Sequence, residues 1–253
     1  PTSAPSSTTV HANATLMHVP NGMATLNWDH SSKTLTVKVT LTGLAPNSIH
    51  PEHIHTGSCS NQGKVLYPLT TLMADASGTV SASTLIPNVT SGIPASGWYV
   101  NVHNGPGLSP QDQFLPIVCG NVTNSSTSTS AAQSVQVTLN NAPSASAGQA
   151  AMGTAQLTLD GSTLTVKVTV SGLAPKSEHA NHIHVGSCTM QGKVLYPLTK
   201  LVADASGSAT ATTSISGVTS IPSSAWYVNV HNSTALTTQT GFDPIACGKV
   251  TVG

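Results

Sequence analysis

Leu35, Val37, Val39 and Leu41 alternate with Thr36, Lys38, Thr40 and Thr42. A period of two places the aliphatic side chains on one face and the polar ones on the other, and so predicts a half-buried β-strand. Short strand-like runs recur along the chain between breaks rich in Gly, Pro, Asn and Asp, such as Asp75-Ala-Ser-Gly78 and Asn104-Gly-Pro-Gly107. No convincing amphipathic helix of about twelve residues is present. Several short alternating strands per hundred residues predict an all-β fold, a sandwich or barrel of antiparallel strands.

The pattern is written twice. Thr34-Leu-Thr-Val-Lys-Val-Thr40 returns as Thr163-Leu-Thr-Val-Lys-Val-Thr169, and Gly43-Leu-Ala-Pro46 as Gly172-Leu-Ala-Pro175. Gln62-Gly-Lys-Val-Leu-Tyr-Pro-Leu-Thr70 returns at 191–199, and Trp98-Tyr-Val-Asn-Val-His-Asn104 at 226–232. A repeat this long means tandem domains rather than a solenoid. Asn124 to Gln133 is small, polar and unpatterned, and reads as the linker. The expected domains are therefore 9–123 and 134–253, joined by 124–133.

Composition narrows the function. Only 6% of the 253 residues are charged, with eight acidic and eight basic side chains and no net charge. All eight basic residues are lysines. Nucleic-acid binders present a basic face, and none can be assembled here. Acidic residues are equally scarce, which argues against calcium cages. No apolar run is long enough for a membrane-spanning helix. The Ser/Thr/Pro-rich start, Pro1 to Thr9, reads as a flexible tail of a mature chain whose signal peptide has been removed. Asn13, Asn88, Asn121, Asn124 and Asn232 head sequons open to glycosylation where the source cell performs it.

Six of the eleven histidines form two matching sets: His53, His55 and His103, then His182, His184 and His231. His-x-His on a strand turns both imidazoles to one side and the intervening Ile54 to the other. His103 ends a second alternating run and can reach the pair from a neighbouring strand. Three neutral imidazoles on strands make a pre-organised site for copper, or for zinc with a water in the fourth place. His50 and His179 stand three residues before each pair, on the other face of a regular strand. They are expected to hydrogen-bond behind the ligands, or else to supply a fourth one. Glu52 and Glu178 occupy different positions in the two copies and read as solvated charges. His11, His18 and His30 have no counterpart in the second copy and read as incidental, with a second metal site peculiar to the first copy as the alternative. Trp98 and Trp226 are expected in the core or the wall of the site.

Each copy carries a Cys just after its His pair and another near its end: Cys59 and Cys119, then Cys188 and Cys247. Four cysteines allow three pairings. Duplication favours Cys59–Cys119 and Cys188–Cys247, with free buried thiols as the alternative. Disulfides place the chain in an oxidising compartment, extracellular or in the periplasm or cell envelope.

These stretches resemble the copper,zinc superoxide dismutase family and its relatives, the CHRD (chordin-type) domains. The resemblance lies in Gly43-Leu-Ala-Pro46, His50-x-x-His53-Ile-His55, Gly57, Cys59, Val102-His103 and Cys119-Gly120. The second copy repeats it with Gly172–Pro175, His179, His182, His184, Cys188, His231 and Cys247-Gly248. It implies two tandem Greek-key β-sandwiches, one copper on each set of three histidines, a structural role for His50 and His179, and a disulfide within each domain. The departures carry weight. Residues 60–102 and 189–230 contain no histidine, so the family's bridging ligand and zinc site are missing and no zinc is expected. Where the family has an arginine that guides superoxide, this chain has Pro116 and Pro244. Lys64 and Lys193 are the only lysines that recur close after the metal motif.

The expected protein is a secreted copper binder for sequestration, storage or delivery, exchanging copper with a donor or acceptor protein. The alternatives are a copper-only, dismutase-like redox enzyme and a non-catalytic adhesion or matrix module. No repeated carboxylate accompanies the histidines as a base for a zinc hydrolase.

Overall fold

The computed structural model describes residues 9–109, 111–140 and 150–253, leaving out the side chains of residues 111 and 112. Most of the segment read as a flexible tail, residues 1–8, lies outside the described residues. The first copy contains β1 (Val10–His18), β2 (Asn21–Asp29), β3 (Thr34–Thr42), β4 (Ile49–His50), β5 (Glu52–Ser58), β6 (Asn61–Pro68), β7 (Leu72–Met73), β8 (Val80–Ile86), β9 (Trp98–His103), α1 (Gln111–Phe114) and β10 (Pro116–Asn121). The second contains β11 (Gln133–Leu139), β12 (Met152–Asp160), β13 (Thr163–Ser171), β14 (Glu178–His179), β15 (Asn181–Ser187), β16 (Met190–Pro197), β17 (Leu201–Val202), β18 (Ala209–Ser216), β19 (Trp226–His231), α2 (Gln239–Phe242), β20 (Pro244–Lys249) and β21 (Thr251–Val252). The fold is all-β, and the two short helices are single turns.

The alternation read from the sequence is the alternation of burial. Leu35, Val37, Val39 and Leu41 are fully buried on β3 while Lys38 and Thr40 are exposed. They pack with Leu26 and Trp28 of β2 against Ile54, Val100 and Val102 of the facing sheet, which closes a sandwich over one core. The chain crosses between sheets, so β3 lies beside β8 and β5 beside β9. Turns repeat with the strands. Asp75 Oδ1 accepts the Ser77 and Thr79 N–H groups, and Asp204 Oδ1 accepts those of Ser206 and Ser208.

The two sandwiches exchange their first strands. β11 follows the linker, yet it pairs along its length with β2 of the first copy, from Gln133 opposite Trp28 to Leu139 opposite Gly22. Reciprocally, β1 pairs with β12, from Val10 opposite Leu159 to Leu16 opposite Gly153. It then crosses to β20, where Met17 meets Cys247 and His18 meets Ala246. The spans 9–123 and 134–253 therefore follow the repeats in sequence, while each sandwich in space borrows a strand from the other. The borrowed strands also fill the cores. Val135, Val137 and Leu139 are buried in the first, and Ala12, Ala14 and Leu16 in the second. Burying one Val or Leu side chain stabilises a fold by about 1.5–3 kcal/mol, so each borrowed strand is a major part of its host.

The crossing leaves a mark in the glycines. A Cβ on Gly120 would run into the main-chain oxygen of Thr138 on β11, and one on Gly248 into that of Thr15 on β1. Both ends of the linker are anchored. Asn124 donates to Ile93 O at 2.7 Å, and Gln133 Oε1 accepts from Ile93 N at 2.6 Å. Residues 125–132 between them are exposed.

Neither disulfide spans the linker, so the halves are tied together once the linker is cut by strand exchange, helped by a few contacts such as Gln191 Nε2–H donating to Leu44 O at 2.7 Å and Gln239 bonding the main chain of Ile49. A protease site built into Ser126–Ser130 and cleaved is expected to leave one particle on native size-exclusion chromatography. The two fragments should separate only in denaturant. Separation under native conditions would contradict the exchange.

Candidate metal centre

β5 and β9 pair antiparallel with His53 opposite Asn101 and His55 opposite Tyr99. That register brings His103, at the end of β9, over the His53–His55 pair. Ile54 turns the other way and is fully buried in the core. The ring centroids of His53 and His55 stand 5.5 Å apart, those of His53 and His103 5.1 Å, and those of His55 and His103 6.2 Å. In the second copy His182, His184 and His231 stand at 5.6, 5.1 and 6.1 Å in the same order. Within each trio the ligand nitrogens lie within 4.8 Å of one another. Two nitrogens bound tetrahedrally to one ion at about 2.0–2.1 Å sit about 3.4 Å apart. A small inward rotation of the rings is therefore enough to hold a metal.

The main chain sets which nitrogen faces inward. His55 Nδ1–H donates to Gly63 O at 3.1 Å, and His103 Nδ1–H donates to Phe114 O at 2.5 Å. The second copy repeats this with His184 to Gly192 O at 2.9 Å and His231 to Phe242 O at 2.5 Å. A proton fixed on Nδ1 leaves the Nε2 lone pair free. Nε2 of His55, His184 and His231 is buried without a hydrogen-bond partner, and so is Nδ1 of His182. Nδ1 of His53 stands 3.1 Å from His103 Nε2. Each site thus presents one Nδ1 and two Nε2 atoms to a common centre. Burial lowers His53, His182 and His231 to about 4, and holds His55, His103 and His184 below the usual imidazole range. All six are neutral at pH 7, as metal binding requires.

A further layer holds the ligands. The Tyr99 ring stacks on His55 at 5.0 Å and 22°, and Tyr227 on His184 at 4.9 Å and 24°. Tyr99 packs in turn with Cys59 and Cys119, which form a disulfide, as do Cys188 and Cys247. His50 is fully buried and lies outside the trio. Its Nδ1–H donates to the main-chain oxygen of His103 at 2.8 Å, and its Nε2 is 2.8 Å from Ser48 Oγ. His179 does the same with His231 O at 2.9 Å and Ser177 Oγ at 2.7 Å. Both nitrogens of each ring are therefore engaged away from the metal cluster. Gly63 and Phe114 escaped the sequence reading, since a carbonyl oxygen is common to every residue, and so did Ser48, whose hydroxyl is one among many in a serine-rich chain. Their recurrence as Gly192, Phe242 and Ser177 was the available signal.

One sequence expectation is corrected. Glu52, read as a solvated charge, is buried, and burial pushes it up to about 8. Its position in the alternation beside Ile54 sends it inward. Its counterpart Asn181 is buried too and donates to Thr199 O at 2.8 Å. Glu178 is solvated and pairs with Lys200 at 2.8 Å. His18 is partly buried, and the main-chain carbonyl of Ile245 acts on its ring. His11 stays on the surface, and His30 lies 3.1 Å from Lys33 Nζ. Trp226 is buried in the second core, and Trp98 packs against the first. Pro116 and Pro244 sit directly opposite His103 and His231. Lys64 and Lys193 are exposed on β6 and β16.

The chain is a duplicated all-β module with two disulfides and, in each copy, a cluster of three histidines able to hold a metal ion. It belongs to the CHRD-domain family, whose model matches residues 3–106 and 126–235. No curated protein matches the chain closely enough to count as a relative. Each family match contains all three histidines and the first cysteine of its copy and stops before the second cysteine.

The layers behind the ligands have separate readouts. Removing His50 leaves a buried carbonyl oxygen without its donor, at a cost of about 1–3 kcal/mol. His50→Ala is expected to weaken metal binding at the first site about 10–100-fold while leaving the spectrum of the bound ion unchanged. A changed ligand-field spectrum would make His50 a ligand. Glu52 binds a proton in the folded state up to about pH 8, against about 4.5 for the free side chain. Its contribution is therefore full below pH 4.5 and is lost as pH rises through 8. In calorimetry of the metal-free protein, Glu52→Gln should melt above wild type at pH 8, by a margin that shrinks toward pH 5. A margin independent of pH would show the carboxyl to be ionised in the fold.

Proposed function

We propose that this protein binds copper outside the cytosol, one ion at each three-histidine site, and serves to sequester, store or deliver it. The observation that carries the reading is the pair of matching trios, each made of three neutral imidazoles with two of the rings aimed inward by main-chain carbonyls. Three imidazole donors suit copper and zinc, and of the divalent ions copper binds a nitrogen site most tightly. When bound, copper supplies an ion able to pass between its cuprous and cupric states. The residues do the rest: His55 and His103 are aimed by carbonyls, Tyr99 covers one ring face, and the disulfide backs the tyrosine. The two disulfides support an oxidising location. Among the described residues no helix is long and apolar enough to cross a membrane.

Binding is favoured over turnover by what lies beside the ligands. A superoxide-handling site gains from a fixed cation that draws the anion in. The residues opposite His103 and His231 are prolines, and the sequence has no arginine. The resemblance to superoxide dismutases supports the choice of metal and the roles of His50 and His179. The second reading, a copper-only redox enzyme, draws on the partial exposure of His53 and His182, which leaves an approach to the bound ion. Exchange of copper with a donor or acceptor protein would use the same opening.

Copper titration of the purified, metal-free chain is the test. We expect two ions per chain, a nitrogen-rich cupric EPR signal that ascorbate abolishes, and negligible superoxide turnover. His55→Ala should remove one ion and His184→Ala the other. Retention of stoichiometric zinc over copper, or an unchanged count in the double variant, would overturn the copper assignment. Turnover that scales with copper loading would establish the enzyme.

A further inference from the structure

Where β1 leaves β12 for β20, the two sandwiches enclose an apolar groove of about 640 Å³. The β1–β12 ladder ends with Leu16 opposite Gly153, so Met17 and Met152 stand at its next rung, and both line the groove. The same rung of the β11–β2 ladder, beyond Leu139 opposite Gly22, carries Asn140 and Asn21, which line the groove as well. Thioethers thus stand at one of these corresponding rungs and amides at the other. His18, next to Met17, also lines the groove; its ring nitrogens are buried, and the main-chain carbonyl of Ile245 is the one group that acts on them.

Each part of this arrangement is otherwise unexplained. A buried imidazole normally has both nitrogens engaged, because each unmet one costs free energy. His50 and His179 obey that rule. The other orphaned imidazole nitrogens, on His55, His182, His184 and His231, all belong to the metal trios. His18 shares their signature. The carbonyl oxygen of Ile245, which also accepts the Val19 N–H at 3.3 Å, engages one nitrogen of the His18 ring and favours the proton there. The other is left as a bare lone pair, as at the trios. The methionines are equally out of place: 66% of Met17 and 57% of Met152 is exposed, on strands whose inward positions are aliphatic.

We propose that Met17, His18 and Met152 form a third metal site, which takes a soft monovalent ion of the cuprous type. Two thioethers and one imidazole select cuprous over cupric copper and over zinc, because soft sulfur donors favour the d¹⁰ monovalent ion. An apolar wall favours a low ionic charge for the same reason that it disfavours a divalent one. The site is independent of the three-histidine clusters and stands or falls apart from the function proposed for them.

The test uses silver(I), a redox-silent ion of the same softness, on the full disulfide-bonded chain in chloride-free buffer. With ¹³C-methyl methionine, the Met17 and Met152 resonances should shift within the first equivalents. Those of Met23, Met73 and Met190, which are also exposed, should not. Native mass spectrometry should find one silver ion fewer on Met17→Leu/Met152→Leu and on His18→Gln than on wild type. The methyl shifts should persist in the His55→Ala/His184→Ala chain, which separates this site from the trios. All five methyls moving together, Met17 and Met152 staying still, or an unchanged silver count in the Leu variant would each overturn the proposal.

Discussion

β5 and β9 are held in a single register, with His53 opposite Asn101 and His55 opposite Tyr99. Side chains alternate across a strand, so a slip of one residue would turn both imidazoles into the core and Ile54 into the site. The register is secured from several directions. Ile54, Val100 and Val102 are all buried in one core. The Cys59–Cys119 disulfide joins the end of the β5 hairpin to β10, the other neighbour of β9. His50 ties the strand before β5 to the last residue of β9. The metal cluster is a by-product of that pairing: once the strands are fixed, three imidazoles have one place to be.

The same economy connects distant parts of each sandwich. The disulfide packs on Tyr99, Tyr99 stacks on His55, and His55 is held by Gly63 on β6. In the second sandwich Val19, just beyond the borrowed strand β1, joins Tyr227 and Cys247 in the corresponding cluster. The packing behind the second site thus includes a residue from the first copy. Strand exchange therefore couples the two halves at their sites as well as their edges, and it leaves neither β2 nor β12 as an open edge for another chain to extend.

Much of this was legible in the sequence, because burial writes itself as alternation and duplication marks which polar residues matter. The strands, the two sandwiches, the histidine trios and the cysteine pairs all carried such signals. The exchange of first strands carried none. Ala12, Ala14 and Leu16 have the same period of two as Val135, Val137 and Leu139, and either strand satisfies the pattern of either sandwich. Glu52 was misread because its residue type suggests solvent while its place in the alternation faces the core. The carbonyls that aim the ligands have no letter of their own. His18 could be read only as incidental or as part of a metal site of the first copy, because its surroundings on β1 and β20 are set by the fold and the second copy holds no counterpart.

Ordering three side chains around an ion normally subtracts from affinity, since rotamer freedom is lost on binding. Here most of that ordering is done in the fold. His55 and His103 have their protons committed to carbonyls, and neutral rings need release no proton to a bound metal at pH 7. The consequence reaches to release. Burial lowers His53, His182 and His231 to about 4 and shifts the other three rings in the same direction, which opposes emptying a site by mild acidification and favours release by transfer to a competing ligand or by a change in the ion's charge. His53 and His182 are the least buried of their trios and therefore the positions where a competing ligand would first meet the ion. Pre-ordering of this kind is what the proposed role in copper storage or delivery calls for: the ion would be held by geometry and passed on by exchange.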